Sequence, residues 1–236
     1  MRTLVVAVGV MLARDAHAYR PFDGTDADVA EPGEFELELG TAYERDPEAS
    51  YLVAPAMVLN WGFATHLELV ADIKGVVGLA PAAGEPRTHL LDNDLLIKWL
   101  GRDGTLQDRR GPSLAIEAGV LLPEARGDDG FGAEANLIGS YRTRPVTLHL
   151  NQAIAYTRSH SAELVTSAIL EGPASLAVRP VAEATLAYEA GDTTLGGLVG
   201  AIWTASEHVA IDGGVRLARD PAATTFEARV GMTWTL

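Results

Sequence analysis

The chain has 236 residues, 47% hydrophobic and 21% charged, with a formal charge of −14 and no cysteine. The acid excess argues against a nucleic-acid partner, because phosphate binding needs clustered Lys and Arg. Without cysteine there is no disulfide, no thiolate metal site and no cysteine nucleophile.

The first 18 residues combine Arg2, an apolar run over 4–12 and the small-x-small triplet Ala16-His17-Ala18. They predict a secretory signal peptide (residues 1–18) cut before Tyr19. The alternative is a buried N-terminal element, since the run is too short for a membrane helix of about 20 residues. Removing the leader's net +1 (Arg2, Arg14, Asp15) from −14 leaves −15. Residues 19–33 carry no strand pattern and read as a periplasmic N-terminal arm, free or tucked into the barrel. No later stretch resembles a membrane helix. A membrane location would therefore require a closed barrel, the other way to satisfy every backbone N–H and C=O in lipid.

From residue 34 the chain alternates apolar and polar residues, the period of a β-strand with two unlike faces. Residues 35–43 set Phe35, Leu37, Leu39 and Tyr43 against Glu36, Glu38 and Gly40. Residues 51–63 are mostly apolar on both faces. Residues 66–74 place His66, Glu68, Val70, Asp72 and Lys74 opposite Leu67, Leu69, Ala71 and Ile73. In 91–99, Asp92, Asp94 and Lys98 oppose Leu95, Ile97 and Trp99. Residues 113–122 carry Glu117, 132–142 carry Glu134 and Arg142, and 146–156 carry His149 and Asn151, each opposite apolar rows. Residues 162–171 alternate more weakly, with Glu163, Ser167 and Glu171 on the polar, inward face. Glu183 marks 178–188, and 194–203 is glycine-rich and ambiguous. Residues 208–217 set His208, Asp212 and Arg216 against Val209, Ile211, Val215 and Leu217. The last segment, 226–236, alternates strictly, with Glu227 and Arg229 on its polar face. Segments of nine to thirteen residues suit a tilted membrane strand better than the usual 5–6 of soluble domains. The prediction is all-β: a single transmembrane up-and-down antiparallel β-barrel of about 12 strands spanning 34–236.

Aromatic placement supports it. Trp61, Trp99, Trp203 and Trp234 close their strands; Tyr43, Tyr51, Tyr156 and Tyr188 lie at the opposite ends. Indole and phenol rings settle at membrane boundaries, so the two sets predict two girdles. With the N-terminus in the periplasm, Phe35, Phe63 and Tyr141 join the tryptophan rim, and Phe131 and Phe226 the tyrosine rim. Short inner turns (62–65, 143–145) and longer outer loops (75–90, 123–130) are expected, with 101–112 too long for its end. A soluble β-sandwich or lipocalin-like barrel, apolar face inward, is the competing fold.

If the apolar face meets lipid, the lumen carries Glu36, Glu38, Glu68, Asp72, Asp92, Asp94, Glu117, Glu134, Glu183, Asp212 and Glu227 against Lys74, Lys98, Arg142, Arg216 and Arg229. Eleven acids against five bases would favour cations in transit. The same charges could instead pair across strands and close the lumen, for example Asp72 with Lys74 and Lys98, or Glu227 with Arg229 and Arg216. Both states fit the sequence. Catalysis is not expected: His149 and Asn151 share the inner face with Ser140 and Ser167, but a lipase site must reach lipid. His66, His149 and His208 are too scattered for a metal site, and no cofactor motif is present. Gly196, Gly197 and Gly200 read as bends or close strand contacts.

The segment Arg20-Pro21-Phe22-Asp23-Gly24-Thr25-Asp26-Ala27, followed by Glu31-Pro32-Gly33-Glu34-Phe35-Glu36-Leu37-Glu38, resembles the start of outer-membrane transporters grouped with the MetA pathway of phenol degradation. Residues 92–99, with Lys98-Trp99, are similar to a recurring inner-leaflet strand of that family, and 225–236 to its closing strand. The chain ends in Leu236 where an aromatic residue usually marks substrates of the barrel-insertion machinery; Trp234 stands two residues earlier. The resemblance implies an outer-membrane barrel of a Gram-negative bacterium, partnered by outer-membrane lipid and the insertion machinery. It also implies passage of small aromatic or hydrophobic molecules. It assigns no catalytic residue.

Overall fold

The computed structural model describes residues 20–82, 86–125 and 129–236. The expected signal peptide lies outside them, as does the side chain of Asp92. Twelve strands follow one another: β1 Phe35–Arg45, β2 Ser50–Ala64, β3 Leu67–Ala80, β4 Thr88–Arg102, β5 Ser113–Leu121, β6 Gly132–Arg142, β7 Thr147–Tyr156, β8 Ala162–Glu171, β9 Val178–Glu189, β10 Asp192–Ser206, β11 Val209–Arg219 and β12 Thr224–Thr235. Each pairs antiparallel with its neighbours in sequence, and β1 pairs with β12 (Leu37 opposite Trp234, Tyr43 opposite Ala228). Closure leaves no sheet edge with unpaired backbone groups.

The two faces have opposite chemistry, and the charged one is inside. Lys98 and Glu68 are 1% exposed, whereas Trp99, next to Lys98, is 51% exposed and Val230 likewise. Leucine, valine and isoleucine rows from every part of the sheet are exposed. A soluble barrel reverses this arrangement, so the lipocalin-like alternative does not describe the molecule. Among the described residues, apolar packing inside the barrel forms two small clusters, and the arm contributes to both. Phe22 packs on Val181, Ile202 and Ala210 of β9–β11. Ala27 packs on Ala115 and Ile138 of β5 and β6.

Several boundaries differ from expectation. The segment 75–90 is not a loop: β3 and β4 extend through most of it, leaving 81–87 as the connection. Val76 and Val77 favour extended backbone and pair with His89 and Thr88. The strand read from His208 begins at Val209, with His208 in the preceding turn. The glycine-rich 194–203 segment is part of a 15-residue strand. Loop asymmetry is only partial: 65–66 and 143–146 are short and 122–131 is long as expected, with an exception at each end. At the tyrosine end β9 and β10 are joined by only Ala190 and Gly191, with φ of 51° and 101°, the two positive values of a tight primed hairpin turn. At the tryptophan end the long 103–112 connection folds into the mouth. Its 3-10 turn, Thr105–Gln107, buries Leu106. Thr105 Oγ1 accepts the Arg142 N–H at 2.7 Å.

Of the register shifts in the ladder, two change which side chains face the lumen. Gly40 and Ala42 of β1 face Ala56 and Val53 of β2, so Ala54-Pro55 adds one residue to β2. Proline has no N–H for the ladder, and a bulge is where a strand tolerates it. On β4, Asp72 and Lys74 of β3 face Asp94 and Leu91, which places a second extra residue at 92–93.

Candidate functional site

The most densely bonded region of the lumen is the N-terminal arm. It carries no regular structure, so its backbone N–H groups need partners, and the wall supplies them. At the tryptophan end Gly33 N–H donates to Gly62 O at 2.6 Å. Further in, Ala30 N–H donates to Glu68 Oε2 at 2.6 Å and Ala27 N–H to Ser140 Oγ at 2.9 Å. Thr25 exchanges two bonds with Asn151: its N–H to Oδ1 at 3.2 Å, and Asn151 Nδ2 to its carbonyl at 2.9 Å. Gly24 and Asp23 donate their N–H groups to the two oxygens of Glu183 at 2.9 and 2.7 Å. The Asp23 carboxylate lies between Arg216 (2.6 Å) and Arg229 (2.9 Å). Burial opposes its ionisation, but Arg229 and Arg216 outweigh that and hold its carboxyl below the ordinary 3.8. Arg20 sits at the β1–β12 seam, 3.7 Å from Asp212. It fills a notch left by Gly40 and Gly231, which face each other in register; a Cβ on either would collide with the guanidinium.

Glu36, Glu38, Glu68, Lys98, Glu117, Glu183 and Asp212 are buried on the inner face. Asp72, Lys74, Asp94, Glu134, Arg142, Arg216, Glu227 and Arg229 are half-buried. The expected ion pairs form in part. Lys74 is 3.9 Å from Asp72, and Arg229 grips Glu227 through two bonds of 2.6 and 2.8 Å. Lys98 instead turns to the arm, 3.1 Å from Thr25 Oγ1 and 3.8 Å from Asp26. Arg216 turns to Asp23. Reading strands alone overlooked these two arm carboxylates, which sit in a segment with no periodicity to place them.

A second network escaped the sequence reading. Ser140 Oγ lies 2.8 Å from His149 Nδ1, and His149 Nε2 lies 3.0 Å from Glu171, with Arg179 3.8 Å from that carboxylate. An ionised Glu171 only accepts, so His149 presents Nε2–H to it, and with the ring neutral Ser140 Oγ takes the Ala27 N–H and donates its own proton to Nδ1. Glu171, not Asn151, completes the chain. Ser140 and His149 are 1% and 2% exposed beneath the arm; the network anchors the plug. Strand register could have paired Ser140 with His149, but not with Ala27.

Between the arm and the tyrosine end lies a cavity of about 540 Å³. Val53, Ala56, Val58, Val70, Leu91 and Leu96 give β2–β4 apolar patches between Glu68, Asp72, Lys74, Asp94 and Lys98, and Glu44, Arg216, Glu227 and Arg229 make the facing wall charged. Arg158, from the β7–β8 connection, reaches across: it binds Asp94, donates to Leu122 O at 2.7 Å and lies 3.8 Å from Glu124. Among the described residues no group of three or more His, Asp or Glu is placed to hold a metal.

Trp61, Trp99, Trp203 and Trp234 are exposed around one rim, with Phe35 stacked on Trp61 at 5.7 Å. Tyr43, Tyr156 and Tyr188 are exposed at the other. Tyr51 departs from the expected girdle. It stands opposite Glu44, a cavity residue, and directly paired residues share a face. The extra residue at Ala54-Pro55 turns Tyr51 to the inner side.

No family model matches the sequence, and no curated protein matches it. Solved structures do. The COG4313 outer membrane channel from Pseudomonas putida F1 aligns with a TM-score of 0.67 at 10% identity, over 91% of this chain and all of that one. A KdgM porin in complex with disordered oligogalacturonate aligns at 0.54 and 11% identity, over 84% and 98%. At these identities the likeness is one of fold.

Proposed function

We propose that this chain is an outer-membrane β-barrel of a Gram-negative bacterium, a passive channel for small molecules whose lumen the N-terminal arm plugs. One observation carries the reading: a closed barrel with an exposed apolar belt encloses charged walls and a cavity of about 540 Å³. The channel and porin names of the fold neighbours agree with it. On this reading residues 1–18 are removed at export, the insertion machinery and outer-membrane lipid are the partners, and the tryptophan rim faces the periplasm. Aromatic or hydrophobic solutes, as for the MetA-pathway transporters, would have the apolar patches of β2–β4 (Val53, Ala56, Val58, Val70, Leu91 and Leu96) to slide along. Reconstitution in planar bilayers tests it: discrete conductance steps are expected, more frequent when arm contacts are weakened. A second reading, a closed structural barrel, draws on the arm bonds and the Arg158 bridge. A silent bilayer with every arm variant would favour it.

A further inference from the structure

We propose that the seat of the arm tip is a binding site for a small zwitterion, an amino acid with a free ammonium and a free carboxylate. The inference deepens the channel reading by naming a substrate class for the same lumen, and it rests on solutes reaching that lumen.

Asp23 is the evidence, because it behaves as a tethered ligand. Its carboxylate is held by Arg216 at 2.6 Å and Arg229 at 2.9 Å, while its own backbone N–H is held by Glu183 at 2.7 Å. One residue thus presents a negative group to two cations and a donor to an anion. The donor and the carboxylate are separated by two carbons, as in a β-amino acid. A free ligand of that shape would replace the neutral amide N–H by an ammonium. Charge-assisted hydrogen bonds are roughly twice as strong as neutral ones, so Glu183 favours the free zwitterion over the arm, contact for contact. The arm compensates by being tethered.

The site is built rather than incidental. Glu183 is 5% exposed, and the Arg229 side chain is 10% exposed. Gly24 beside them must lack a side chain: a Cβ would lie 2.5 Å from Ser167 Oγ and 3.1 Å from Glu183 Oε1. The seat therefore admits a slim group only. Asp23, Gly24, Arg216 and Arg229 all line the cavity that leads toward the tyrosine end, so a solute arriving there meets the arginine pair, and Glu183 lies directly behind the Asp23 and Gly24 backbone.

β-Alanine is the minimal probe, with propionate (carboxylate only) and ethylammonium (cation only) as controls. Binding is measured by calorimetry on the full-length protein in detergent, with heat-modifiable gel migration as the folding check. Asp23→Ala frees the two arginines but leaves the backbone N–H groups of residues 23 and 24 on Glu183; deleting residues 20–25 vacates both poles and is expected to tighten β-alanine binding at least tenfold. Glu183→Gln in the deletion background should abolish the gain, and propionate should bind the deletion variant at least tenfold more weakly than β-alanine. Should the combined variant fail to fold, Arg216→Gln in the deletion background replaces it, with the same loss expected. The deletion without effect on β-alanine, or propionate or ethylammonium binding to it equally well, overturns the proposal. Conductance in simple salt is recorded separately, so a silent channel counts against the transport reading and not against the site.

Discussion

At the scale of single residues, Asp23 and Arg20 set the plug. Charged hydrogen bonds contribute about 1.5–3 kcal/mol each, so Asp23→Asn should loosen the arm tip, seen as faster amide exchange at 22–25 with strand amides unchanged. The pH dependence has a fixed sign. The carboxyl of Asp23 is held below 3.8 when docked, so its contribution is complete above 3.8 and lost as pH falls through the docked value. Arm protection, corrected for the intrinsic exchange rate, should fall in acid, and Asp23→Asn should reduce that fall at 22–25. At the seam, Gly40→Val should expel the Arg20 guanidinium and raise exchange at the arm while leaving β1–β12 paired. The inner charges were legible because period two assigns each residue to a face. Asp23, Asp26 and Arg20 were not, because an irregular segment carries no face. Glu171 was visible as an inward residue, but its bond to His149 depends on side-chain reach that a register cannot give.

At the scale of elements, strand count and order followed from alternation, strongest in β12, where eleven residues keep strict phase. Alternation fails where the chain gains a residue. Pro55 is the visible sign of one bulge, and it moved Tyr51 from the rim to the interior; the bulge at 92–93 has no comparable marker. The 103–112 connection was conspicuous by length, and its role became clear only in three dimensions: Gln107 Nε2 holds Asp28 of the arm at 2.8 Å. Gln107→Ala should therefore loosen 26–30 rather than the arm tip, a difference amide exchange resolves by position. On the outer face Val230→Arg should cost about 2–4 kcal/mol in lipid-based unfolding, because a charge near mid-strand would meet hydrocarbon.

At the scale of the molecule, the acid excess of the lumen is a testable field. Asp94→Asn combined with Glu134→Gln should lower the cation preference of any open state, read as a smaller reversal potential in a salt gradient. The more basic claim is that the leucine and valine rows touch hydrocarbon while the carboxylates do not. The absence of native cysteine makes it directly measurable. Single cysteines placed in turn from 226 to 234 on β12, spin-labelled and reconstituted in liposomes, report collision with oxygen, which concentrates in lipid, and with a water-soluble nickel chelate. The account predicts period-two alternation, with oxygen highest at 228, 230 and 232 and low at 227, 229 and 231. Nickel access at the even positions equal to or above that at the odd ones would contradict it.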